Sequence, residues 1–326
     1  MKAGYAVILG NLGNTCDRFL SSGYKDQPDK AEMLRQAAEI DGVTGIELVG
    51  TWDVTEETTD QIGEMLEQHG LKCVSIIPDL FSQKRWGNGS YAAKDPAIRE
   101  QAIEETAKAA NIARKLGCPM LNIWPGQDGY DYSLQADFRT ERRWFQDAVA
   151  GLAREYSDIR FALEYKPKEP RTHSYIARAA DTLLMVNDID LPNVGVTIDV
   201  GHALYAYENV AESVVLLSEY GNRLFHMHFN DNYRYWDDDM IVGSVHLVEY
   251  VELIFWLREV GYTGWYSMDQ YPYREDAQGA IRESIEFLKG IERMLDETAM
   301  ADIRALIASG DAVEASRWMR SKLFRA

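Results

Sequence analysis

The chain has 326 residues, 46% of them hydrophobic and 26% charged, with a net charge of −18 and a pI of about 4.8. Such a composition marks a folded globular chain, long enough for one barrel with an appendage or for two smaller domains. An acidic surface repels phosphodiester backbones and anionic bilayers, which argues against nucleic acid and membrane partners. No stretch approaches the ~20 apolar residues of a spanning helix.

The N-terminal run at 5–9 reads as a first strand rather than a signal peptide, because the chain soon turns polar. Further strand-like runs stand at 45–49, 72–77, 120–124, 160–164, 194–199, 224–229 and 265–269. Amphipathic stretches alternate with them at 30–41, 57–69, 97–116, 139–156, 174–187, 208–220, 247–260 and 278–294. Eight alternations predict a (β/α)8 TIM barrel over residues 1–295. Gly70, Gly117 and Gly261 follow helical stretches and are expected to supply the left-handed residue that ends each. Residues 296–326 form a C-terminal helical extension, read as two short helices split at Ser309-Gly310. Its apolar set, including Met300, Ile303, Trp318 and Phe324, is too large for water and should pack on the barrel or across a subunit interface. Cys16, Cys73 and Cys118 are scattered, with no C-x-x-C, as expected of reduced thiols in a cytoplasmic protein.

Four acid or imidazole side chains end four successive strand runs: Glu164, Asp199, His228 and Asp269. Barrel strand ends converge on one mouth, so three carboxylates and an imidazole would meet there. That donor set suits one divalent cation, Mn²⁺ or else Co²⁺ or Mg²⁺. Lys166 lies two residues beyond Glu164, on the same side, and can reach a substrate oxygen. In IDVGH, Asp199 and His202 stand three apart across a turn. His202 would serve a second metal or a substrate hydroxyl, and Asp237 and Asp239 could complete that second site. His226 shares a side with His228 one layer deeper. In WPGQDGYDY, Trp124 could stack on a sugar, while Gln127 and Asp128 could reach hydroxyls. Each of these also has a plain alternative, as core plug, turn or surface polar. His246 begins the seventh helix as a surface residue or a substrate-contacting lid.

The segment ALEYKPKEPR closely resembles the fifth-strand motif of the xylose isomerases and the related rhamnose isomerases. The ligand order Glu164, Asp199, His228, Asp269 resembles the rhamnose isomerase branch. The match is good over roughly residues 120–270 and extends to the wider xylose isomerase-like superfamily of sugar isomerases and epimerases. The resemblance implies a bridging role for Asp199, a second metal on His202, Asp237 and Asp239, and contact of Lys166 with the carbonyl end of an open sugar. The isomerases also carry a ring-opening histidine near an early strand; this chain has none there.

The resulting expectation is a metal-dependent isomerase or epimerase of a free, unphosphorylated sugar or keto-sugar, with Glu164, Lys166, His202 and Asp269 in the chemistry. The alternative is a lyase acting on a 3-keto-glycoside, resembling C-glycoside deglycosidases with their small partner subunit. A homo-oligomer is expected.

Overall fold

The computed structural model describes residues 2–16 and 20–324. Eight strands, β1 (Gly4–Ile8), β2 (Val43–Val49), β3 (Lys72–Ile77), β4 (Met120–Ile123), β5 (Arg160–Glu164), β6 (Val194–Asp199), β7 (Leu224–Phe229) and β8 (Trp265–Met268), close into one barrel. Each pairs in parallel with its neighbour in sequence, and β1 closes the ring against β8. Parallel strands are covered on both faces, which is why they read as apolar runs rather than as alternations.

The strand period still sorts what enters the barrel. On β7, Met227 and Phe229 pack outward; Phe229 stacks on Tyr250 of the helix Leu247–Glu259. His226 and His228 point inward, where the interior also holds Glu47, Ser75, Asn122, Thr197 and Ser267, all buried. The core of this barrel is polar toward its C-terminal face.

Helix ends follow local chemistry. The helix Pro96–Leu116 opens with Asp95 accepting from Ala97 N at 2.9 Å and closes at Gly117 with φ 66°. Gly70 and Gly261 take the same left-handed conformation, with φ 66° and 71°. The fifth barrel helix is Ala179–Ile189, later than the 174–187 expected. Its expected first residue, Ser174, instead ends a strand of a small antiparallel sheet of Gly129–Tyr130, Thr172–Ser174 and Lys168–Glu169, which the sequence reading missed, and residues 175–178 are loop. β1 ends one residue early because Leu9 starts a 3₁₀ turn, Leu9–Leu12.

The extension forms helices Glu297–Ser309 and Ala312–Leu323, divided by Gly310 at φ 65°. Met300 is buried, and Ile303, Trp318 and Met319 pack partly against the core, while Phe324 stays 75% exposed. Arg304 ties the first of these helices to Glu259 at 2.6 Å. Residues 325 and 326 lie outside the described residues. Cys73 and Cys118 are buried and Cys16 is exposed. Among the described residues no helix is long and apolar enough to cross a membrane.

Candidate active site

The C-terminal ends of the strands surround a cleft of about 310 Å³, and the ring of strand ends has two unlike halves. β1, β2 and β3 end in Ile8, Val49 and Ile77, which form a small apolar cluster with Phe81, apart from the main core. Phe81 meets Trp124 edge-on at 4.7 Å and Trp52 at 5.5 Å, so an aromatic wall runs from the floor to the rim. The facing half, from β5 to β8, is acidic.

Glu164, Asp199, His228 and Asp269 meet there. One ligand atom from each lies within 4.8 Å of every other. His228 Nδ1 is 3.4 Å from Glu164 Oε1 and 3.2 Å from Asp269 Oδ2. The side chain of Asp269 is 20% exposed and is the member open to the cleft; the others are nearly sealed. Glu164 and Asp199 are held from behind. Asn122 donates to Glu164 at 2.6 Å and accepts from Thr197 at 2.6 Å. Asn230 donates to Asp199 at 2.9 Å, and the backbone N–H of His202 donates to its other oxygen at 2.8 Å. Asp199 thus caps the short helix Val200–Tyr205. Glycine is required at position 201: a Cβ there would lie 2.2 Å from Asn230 Oδ1.

Electrostatics match that crowding. Burial pushes the Asp199 carboxyl up to about 7; nearby Asp237, Asp269 and Glu164 push the same way, against His202. Asp269 is also raised, chiefly by burial. Burial opposes charge on Glu164 as well, but His228 and His202 outweigh it and hold the carboxyl below its usual range. Burial lowers and the flanking carboxylates raise the His202 imidazole, which ends near 9. Carboxylates brought so close, with no lysine or arginine between them, would be stabilised by a divalent cation. The hard oxygen donors with one nitrogen therefore fit Mn²⁺, Co²⁺ or Mg²⁺.

Asp199, His202 and Asp237 make a second close group, again with ligand atoms within 4.8 Å. His202 Nδ1 and Asp237 Oδ1 are buried without a hydrogen-bond partner. However, Asp237 Oδ2 already takes His202 Nε2 at 3.0 Å and the Lys166 ammonium at 2.8 Å. Lys166 also pairs with Glu169 and lies 5.2 Å from the Trp124 ring centroid. Burial lowers its proton affinity, but Asp237 and Glu169 more than reverse this, so the ammonium stays charged. Asp239 lines the same cleft at φ 48° and accepts from Asn230 at 3.1 Å.

Three residues expected at the substrate lie elsewhere. Asp128 is fully buried and accepts from Ser90 N, Tyr91 N, Ala92 N and the Ser90 hydroxyl, pinning that loop. Gln127 lines a separate hollow beside the same loop. His246 places Nδ1 2.7 Å from Asp231 and accepts from Arg234 at 3.1 Å, fastening the entry to its helix. Trp124 does reach the cleft. The sequence reading missed the wall residues Trp52 and Phe81, the rim residues Trp236 and Tyr271, and the Lys166 partner Glu169. It also missed Glu47, whose signal was a lone carboxylate inside the apolar run GVTGIELVG.

Comparison with known proteins bears on the family and the fold. Xylose isomerase from Thermus thermophilus is 28% identical over 286 residues, covering 83% of this chain and 73% of that protein. A D-tagatose 3-epimerase-like protein superposes with a TM-score of 0.69 at 21% identity, covering 90% of this chain and 100% of that one. The 3-keto-D-glucoside 4-epimerase from E. coli superposes at 0.65 and 18% identity, covering 79% and 93%. At these identities the structural likenesses establish the fold. Residues 34–291 match the family described as the xylose isomerase-like TIM barrel, and the chain belongs to that family.

Proposed function

We propose that the chain is a divalent-metal-dependent isomerase or epimerase of a free sugar or keto-sugar. The observation that carries this is the convergence of Glu164, Asp199, His228 and Asp269 at the floor of a cleft that also presents Lys166. The relatives named as a xylose isomerase and a tagatose 3-epimerase-like protein support the same chemistry. An unphosphorylated substrate follows from the charges. Lys166 is the single lysine or arginine among the described lining residues, against five carboxylates, and both it and the neighbouring His202 imidazole are already paired with Asp237. A phosphate would be repelled.

When bound by the four ligands, a cation supplies Lewis-acid polarisation of a carbonyl and its neighbouring oxygen. The protein does the rest. Phe81 and Trp124 offer an apolar wall to the C–H face of the sugar. Lys166 donates to the oxygen on which charge develops, from a site that is already oriented. Glu164 and Asp269, both beside His228 Nδ1, take a proton from the carbon next to the carbonyl and return it. On the competing route, a second cation held by Asp199, His202, Asp237 and Asp239 would favour hydride movement within the sugar.

Product NMR with a panel of free aldoses and ketoses plus Mn²⁺, run in D₂O, tests the reading. Turnover is expected, and it should be lost with chelator. Deuterium at the product carbon identifies proton transfer; an unlabelled carbon identifies the hydride route. No turnover of any free sugar would overturn the proposal.

One observation favours a second reading, elimination on a 3-keto-glycoside. Trp52 extends the apolar wall to the rim, 40% exposed, where an aglycone would lie. Adding 3-keto-glycosides to the panel decides between the two.

A further inference from the structure

Glu47 is a fully enclosed carboxylate inside the barrel, at 0% exposure, in contact with His228. β2 carries it inward in register with Ser75 of β3, while Ser267 of β8 stands in register with His228. Four donors converge on it. His226 Nε2 is 2.8 Å from Oε1, and His228 Nε2 lies 3.2 Å from Oε1 and 3.3 Å from Oε2. The Ser75 hydroxyl donates to Oε2 and the Ser267 hydroxyl to Oε1. An ionised carboxylate has about four lone-pair sites. The four contacts therefore match what an ionised Glu47 can accept, although Glu47, His226 and His228 also lie close enough together to hold an ion.

The consequence falls on His228. Glu47 has no proton to give, so Nε2 of His228 must carry one and donate. The ring then presents Nδ1, the atom that faces Glu164 and Asp269. His226, two residues earlier on β7, stands edge-on to His228, with ring planes at 81° and centroids 5.0 Å apart, and reaches Glu47 Oε1 as well. A ligating histidine is commonly fixed in tautomer and rotation through its second nitrogen. Here that outer partner comes from the far side of the barrel, on β2.

We propose that Glu47 is a positioning residue that locks His228 with Nε2 protonated and Nδ1 aimed at the cation, and that His226, Ser75 and Ser267 keep Glu47 in that role. This rests on the metal site of the proposed function. The amide of Glu47→Gln keeps the size but cannot accept from four donors. It is expected to bind Mn²⁺ about 10–100-fold more weakly by calorimetry, with an altered Co²⁺ absorption spectrum and an unchanged fold by circular dichroism. A merely structural role would lower melting temperature yet leave Mn²⁺ affinity and the Co²⁺ spectrum of the folded protein as they were, and that result overturns the proposal. The unaltered protein gives an independent reading. In ¹⁵N-histidine NMR of the Zn²⁺-loaded chain, with His228→Gln used for assignment, Nε2 should be protonated and Nδ1 metal-bound; the opposite tautomer overturns it. If the wild-type chain binds no divalent ion, the proposed function fails. If it binds one and Glu47→Gln binds it equally well, only this inference fails.

Discussion

Replacing Glu164 or Asp269 with alanine is expected to abolish turnover while leaving a folded chain. Each change removes a cation ligand and a proton-transfer group together. A Lewis acid contributes several kcal/mol to such a reaction, and each 1.36 kcal/mol is tenfold in rate, so the loss should be roughly 10³-fold or more. Folding should survive because neither residue is the sole support of its neighbours. Asn122, left by Glu164, still accepts from Thr197, and Asp269 already faces the cleft. The removal of one negative charge also relieves repulsion on Asp199 and Asp269, whose carboxyls burial and neighbouring carboxylates push up. Rates with the best substrate, alongside circular dichroism, check this. A variant with near-normal turnover would remove that residue from the mechanism.

Lys166→Met is expected to lower kcat far more than it raises KM. The ammonium is held by Asp237 and Glu169 against the Trp124 face, so it is oriented before substrate arrives. Donors placed in advance for a developing oxyanion cost about 10²–10³ in kcat when removed. Methionine keeps the length and the apolar stem, so the cleft should keep its shape. Steady-state kinetics separate the roles: a raised KM with unchanged kcat would mean that Lys166 only binds the substrate.

The fold was legible because its signal is repeated. Eight apolar runs alternate with eight amphipathic ones, and one barrel accounts for all of them. The convergence of Glu164, Asp199, His228 and Asp269 was legible because each stands at or beside the end of such a run, and the strand ends of a barrel point to one place. The pairings of the connecting loops were not. Asp128 and Gln127 follow Trp124 immediately, yet only Trp124 faces the cleft. The loop 87–93 folds under Asp128 and takes its carboxylate. His246 sits near the mouth in sequence but is spent on Asp231. Two-residue strands such as Lys168–Glu169 carry no periodicity to read. Glu47 and Asn122 were visible as single polar residues at inward positions of apolar strands. Their meaning depended on which strand lay opposite, and the barrel's closure decides that.

The central claim is that Glu164, Asp199, His228 and Asp269 hold one divalent cation in the cleft where a sugar reacts. Anomalous diffraction from a crystal soaked in Mn²⁺ tests it most directly. The account predicts a strong peak within ~2.0–2.6 Å of one oxygen from each carboxylate and of His228 Nδ1, a range typical of such bonds. A map with no peak among those four side chains, or with manganese bound only elsewhere on the acidic surface, would contradict it.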